Sequence, residues 1–169
     1  MWSQLPIIDQ RSTIAHELKI QLLQTGHKIA VAESLTGGHL QATITSVSGA
    51  SEYFLGGLTA YNIDQKVNLL GVDREHAASV NCVSQQVATE MAAGVRKMFG
   101  SDISIATTGY AEAWPEGDIE KPFAWYAINI CGNVQSNRIE PAAVDRQQVQ
   151  DFVARSVLDK LIALLGNHN

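Results

Sequence analysis

Four side chains able to take part in acyl transfer, Ser34, Ser51, Tyr61 and Lys66, fall within the stretch Ala32–Lys66, the length of one βαβ unit. A serine hydroxyl is almost fully protonated near neutral pH and becomes a nucleophile only beside a base, most often a histidine. The five histidines, His16, His27, His39, His76 and His168, fall in no motif that gives any of them that role. Lys66 is the nearer base, provided its amine is neutral. That requires burial or nearby positive charge to lower its pKa from about 10.4. Tyr61 can then donate or relay a proton. The competing structural reading makes Tyr61 a half-buried strand aromatic and Lys66 a solvated helix lysine.

The surrounding pattern says how these groups must be positioned. Ile14, Leu18, Leu22 and Leu23 recur at helical spacing, predicting a helix over Ser12–Thr25 with Gly26 as its stop. The short apolar run Lys28–Glu33 reads as a buried strand that ends where Ser34 begins. Thr36-Gly37-Gly38 then opens a small-residue helix, His39–Val47. Ser34 is thereby placed at a strand carboxyl end beside a helix amino terminus, where unpaired N–H groups favour an anion or a developing oxyanion. By position alone Ser34 is the more site-like of the two serines.

Ser48–Ser51 reads as a turn, Gly57–Asn62 as a strand and Asp64–Leu70 as a short helix stopped by Gly71, so Tyr61 and Lys66 flank a strand-to-helix junction. Ser84 is the expected N-cap of a long helix to Phe99, with Val87, Met91 and Val95 on its apolar stripe and Gly100 as its stop. Asp102–Thr107 is a second buried strand, ending in Thr108-Gly109. The acidic segment Tyr110–Pro122, with Trp114, has no period and reads as a long loop over a strand end, where function concentrates. Phe123–Cys131 and Gln135–Glu140 form a hairpin around Gly132-Asn133, and Asp145–Leu165 closes the fold as an amphipathic helix. This order predicts a three-layer α/β/α domain around a mixed, mainly parallel sheet.

Composition sets the outer bounds. With 169 residues, 46% hydrophobic and 17% charged, the chain is expected to form one domain over 1–169, with flexible ends at 1–10 and 166–169. A net charge of -5 without a basic stripe argues against a nucleic-acid surface. Cys82 and Cys131 lack C-x-x-C spacing and read as buried thiols in a reducing compartment. The amino terminus has no signal-peptide pattern, and no apolar run reaches the roughly 18 residues a membrane helix needs, so a cytoplasmic protein without membrane contact is expected. Neither G-x-G-x-x-G nor a P-loop occurs, and dispersed carboxylates without H-x-x-x-H predict no metal. No cofactor is expected.

Taken in order, A-E-S-L-T-G-G (32–38), G-A-S-E-Y-F (49–54), Y-N-I-D-Q-K (61–66), L-G-V (70–72), V-S (83–84), T-G-Y-A-E-A (108–113), E-K-P-F-A (120–124) and V-D-R (144–146) resemble the CinA carboxy-terminal domain family over essentially the whole chain. Its active members are nicotinamide-mononucleotide deamidases. The resemblance implies metal-independent hydrolysis of the carboxamide of nicotinamide mononucleotide to nicotinate mononucleotide and ammonia, by a homo-oligomer. It implies Ser51 as nucleophile, Lys66 as base and Tyr61 as assistant, with Ser34, Thr108 and Arg146 completing the site; Thr36, Gly37, Gly38 and Gly109 belong to the same substrate-binding or oxyanion motifs. Arg146 is suited to the substrate phosphate as a bidentate donor. Strand Phe123–Ile130, if exposed, would suit an oligomer interface.

The departures are concentrated. Leu35 replaces a cysteine, Ala124 and Val144 replace glycines, and Gln150 stands where a second arginine is common. Tyr110–Trp114 replaces a flexible glycine-containing loop, and Glu112 there would repel a phosphate. This leaves a second expectation, a diverged relative that binds a nucleotide or a protein partner without turnover.

Overall fold

The computed structural model describes residues 10–142 and 145–166. Of the flexible ends expected at 1–10 and 166–169, residues 1–9 and 167–169 lie outside the described residues, as do His168 and Val144, while Gln10 and Gly166 belong to helices. In chain order the helices are α1 (Gln10–Thr25), α2 (His39–Ile44), α3 (Ile63–Leu70), α4 (Arg74–Ser79), α5 (Gln85–Phe99) and α6 (Arg146–Gly166). The strands are β1 (Ile29–Glu33), β2 (Phe54–Thr59), β3 (Ile103–Tyr110), β4 (Phe123–Ile130) and β5 (Asn133–Ile139). They form one sheet in the order β2-β1-β3-β4-β5. β1 pairs in parallel with β2 and β3, while β4 is antiparallel to both of its neighbours. β4 alone is reversed, which makes the sheet mixed but mainly of one direction.

The two faces of the sheet differ in side-chain size. Ile29, Val31, Ile103, Ile105, Tyr126 and Ile128 face a core shared with α1, α2 and α6. The alternate positions Ala30, Ala32, Ala106 and Ala127 face α5. Ala88 and Ala92 of α5 are buried against this small-residue face, and the Ser104 hydroxyl donates to the Ala92 carbonyl at 2.7 Å. Period-2 alternation in each strand thus separates a thick apolar layer from a thin one on which a helix lies close.

Several boundaries differ from those expected. β2 begins at Phe54, three residues before the predicted start, because Gly56 and Gly57 lie within it; a Cβ on Gly57 would meet Val31. Tyr61 is therefore past the strand rather than in it, and is 57% exposed rather than half-buried. β3 continues through Thr108-Gly109 to Tyr110, since Gly109 lets the backbone of Phe123 approach where a Cβ would stand 2.3 Å from the Phe123 carbonyl oxygen. Helix α4, capped by Asp73, was not anticipated.

Strand β4 is not an exposed interface strand. It lies inside the sheet between β3 and β5 with α5 and α6 against it, so an oligomer draws no support from it. Cys131 is exposed and Cys82 only half-buried, contrary to the expected buried thiols. Both have positive φ in turns, and Cys82 packs only partly buried at the margin of the core beneath α5. Among the described residues no helix is long and apolar enough to cross a membrane.

Candidate active site

β1 passes the chain to α2 on one face of the sheet, and β2 passes it to α3 on the other. Their carboxyl ends therefore open a crevice, the usual ligand position in an α/β sheet. Ser34 follows the last residue of β1 at this edge and is 7% exposed. Lys66 reaches the same point from α3, whose first turn is capped by the Asn62 side chain accepting from the Gln65 N–H. Helical side chains lean toward the helix amino terminus, which directs Lys66 back under the β2–α3 junction.

There the Lys66 Nζ donates to the Ala60 carbonyl at 2.7 Å and stands 2.9 Å from the Ser34 Oγ. The Ala60 N–H in turn donates to the Glu33 carbonyl, tying the junction to the end of β1. Lys66 is 1% exposed, and no carboxylate pairs with it among the described residues. Burial lowers its pKa from the ordinary lysine value, opposed in part by the nearby Cys82 thiol. A lysine shifted toward the neutral form beside a hydroxyl is an arrangement able to act as base and nucleophile.

Ser51 is not part of this arrangement. It lies exposed in a 3-10 turn, Ala50–Glu52, just before β2, and the first residues of β1 and β2, Ile29 and Phe54, are register partners. The turn is thus at the amino-terminal edge of the parallel strands, whereas Lys66 is at the carboxyl edge. The two are separated by the length of a strand, on the order of 15–20 Å. Within this chain Lys66 therefore meets Ser34 and not Ser51, the serine that the resemblance names as nucleophile: both precede Lys66, but only Ser34 shares its end of the sheet.

The expected helix-terminus oxyanion site is also occupied. The buried Glu33 carboxylate accepts from the N–H groups of Gly38, Leu40 and Gln41 at 2.9, 3.1 and 3.0 Å. Gly37 and Gly38 adopt positive φ to turn the chain around it, and the Gly37 N–H donates to the Ser34 carbonyl. The Leu35 and Thr36 N–H groups have no acceptor among the described residues, so these are the donors nearest Ser34 that remain available. Thr36 is not a ligand-facing group: its hydroxyl pairs with that of Thr107 at 2.8 Å in the core. Thr108 is likewise engaged, donating to the Cys82 carbonyl at 2.6 Å.

Above Ser34 lies a cleft of about 260 Å³, walled by Tyr61, Gly109, Tyr110, Glu112, Trp114 and Arg146. Tyr110 stacks on Trp114 at 6.0 Å between ring centroids and meets Phe123 edge-on at 5.4 Å. Trp114 and Ile119 exchange backbone hydrogen bonds, so the loop expected to be irregular is closed by a small bridge. Arg146, the first residue of α6, donates from Nη1 to Glu112 at 2.6 Å and from Nη2 to the Tyr61 hydroxyl at 2.5 Å. Of the site histidines considered, His39 stands 3.9 Å from Asp151 and His76 Nε2 pairs with the Ser84 Oγ; neither reaches the cleft.

The CinA C-terminal domain model matches residues 11–165 of this sequence. The chain belongs to the CinA C-terminal domain family. A CinA-like protein of Prochlorococcus marinus is 42% identical over 152 residues, covering 86% of this chain and 35% of the relative. The chain thus spans about a third of the length of the curated relatives it matches. Solved structures match over nearly their full length. A competence or damage-inducible protein from Enterobacter asburiae superposes with a TM-score of 0.85 at 30% identity, covering 92% of this chain and 98% of that one. A CinA superfamily protein from Klebsiella pneumoniae gives 0.87 at 26%, covering 94% and 99%.

Proposed function

We propose that the chain is a metal-independent amidohydrolase acting on the carboxamide of nicotinamide mononucleotide or a close relative, with Ser34 as nucleophile and Lys66 as general base. The observation that carries this reading is the buried Lys66 Nζ, 2.9 Å from the Ser34 Oγ at the floor of the cleft. Neutral Lys66 accepts the hydroxyl proton as Oγ attacks the amide carbon. The oxyanion of the tetrahedral intermediate lies toward the Leu35 and Thr36 N–H groups, in the manner of other acyl-transfer sites. The Lys66 ammonium then returns the proton to the departing nitrogen, releasing ammonia and leaving an acyl-Ser34 ester. Lys66, neutral again, activates the water that hydrolyses it. The aromatic walls Tyr61, Tyr110 and Trp114 suit a planar pyridine ring.

The deciding experiment incubates the protein with nicotinamide mononucleotide and measures ammonia. Release lost in Ser34→Ala and Lys66→Ala but kept in Ser51→Ala supports the assignment; release lost only in Ser51→Ala overturns it. The reading of a nucleotide-binding relative without turnover is favoured by one observation, the pairing of Arg146 with Glu112 instead of a free guanidinium. It predicts nucleotide binding with no ammonia from any pyridine carboxamide.

A further inference from the structure

Glu112 and Arg146 are the charged side chains among the walls of the cleft, and they cancel one another. Both terminal nitrogens of Arg146 are engaged, Nη1 by the Glu112 carboxylate and Nη2 by the Tyr61 hydroxyl. A phosphate needs the same two nitrogens for bidentate binding. There it meets a carboxylate that stays tethered a few ångströms away on a loop braced by the Tyr110–Trp114 and Tyr110–Phe123 contacts and already neutralises the guanidinium. The amino terminus of α6 offers no substitute, since the Asp145 carboxylate already accepts from the Gln148 N–H there. The neighbouring long side chain, Gln150, packs its amide near Gly37 and brings no charge. Beneath, Lys66 is buried and turned to Ala60 and Ser34. The cleft therefore presents one carboxylate, Glu112, against one guanidinium, Arg146, with no unpaired positive charge among its walls.

We infer that Glu112 makes this cleft select amides that carry no phosphate at the Arg146 end, so that the dephosphorylated nucleoside is a better substrate than the nucleotide. The inference rests on the amidohydrolase reading and narrows its substrate class. A sugar hydroxyl can donate to Glu112 and accept from Arg146 without breaking their pair, whereas a phosphate dianion is repelled by Glu112 and meets an Arg146 charge that is already neutralised.

The test separates binding from turnover. In Ser34→Ala protein, the affinities of nicotinamide mononucleotide and its dephosphorylated nucleoside are measured by calorimetry, with Glu112 intact and as Glu112→Gln. Gln keeps the size of the side chain and removes its charge. With Glu112 intact the nucleoside is expected to bind at least as tightly as the nucleotide. Glu112→Gln is expected to shift the nucleotide-to-nucleoside affinity ratio roughly tenfold toward the nucleotide, with the kcat/KM ratio of the Ser34 protein moving the same way. Ammonia from both compounds with a ratio favouring the nucleotide and unmoved by Glu112→Gln overturns the selectivity and leaves the amidohydrolase standing. No binding of either compound and no ammonia from either overturns both.

Discussion

In the proposed mechanism Lys66 is the residue on which the chemistry turns, because it can accept a proton only as the neutral amine. Its burial favours that form, so kcat/KM should rise with pH through a lysine pKa held below about 10.4 and level off above it. Lys66→Arg should lose activity by about a thousandfold or more across that whole range, since a guanidinium stays protonated; a pH–rate profile checks both. Ser34→Ala should be equally damaging, while Ser51→Ala should stay within about twofold, because Ser51 touches nothing at the carboxyl edge. The resemblance had named Ser51, and the residue pattern alone had already marked Ser34 as the better placed of the two. What the pattern lacked was any way to know that a lysine 32 positions later closes on Ser34, a juxtaposition that depends on a parallel crossover.

At the scale of elements, the end of β1 and the start of α2 are one device. The Glu33 carboxylate neutralises the amino terminus of α2 from inside the protein and so holds the turn that presents Ser34. Glu33→Ala would leave three buried or part-buried N–H groups without their acceptor and should destabilise the fold by about 3 kcal/mol, read by denaturant unfolding, with activity falling as well. Glu33 was passed over in the sequence, although an acidic residue ending an apolar strand just before a helix start is the available signal. Gly109 holds the opposite wall. Gly109→Val should force β4 from β3 near Phe123 and lower stability by about 2 kcal/mol. The fragment Tyr110–Trp114 was legible as a departure from its family, yet its order was not. The edge-on contact that braces it joins Tyr110 to Phe123, on neighbouring antiparallel strands.

For the molecule as a whole, the buried Lys66 is a source of pH-dependent stability. Lys66 binds its proton less tightly when folded than when unfolded, so the unfolded state carries more protons between the lowered pKa and about 10.4, and stability rises with pH through that window. Lys66→Met removes the titration. Relative to that variant, the wild-type protein should therefore gain stability as pH rises from the folded pKa toward 10, lose it as pH falls back through that window, and change no further below the folded pKa; thermal unfolding of both proteins over this pH range is the check. The sequence by itself determined the layered α/β architecture, because apolar period and helix stops such as Gly71 and Gly100 are local signals that the packed structure reinforces. It also determined which residue types the site would contain. Only the tertiary structure decided which serine meets the lysine, that the α2 amino terminus is already filled by Glu33, and that Arg146 is held by Glu112. Each of these is a contact between groups distant in sequence or hidden inside a turn, whose partner is set by which end of the sheet a segment reaches and not by the spacing of its residues.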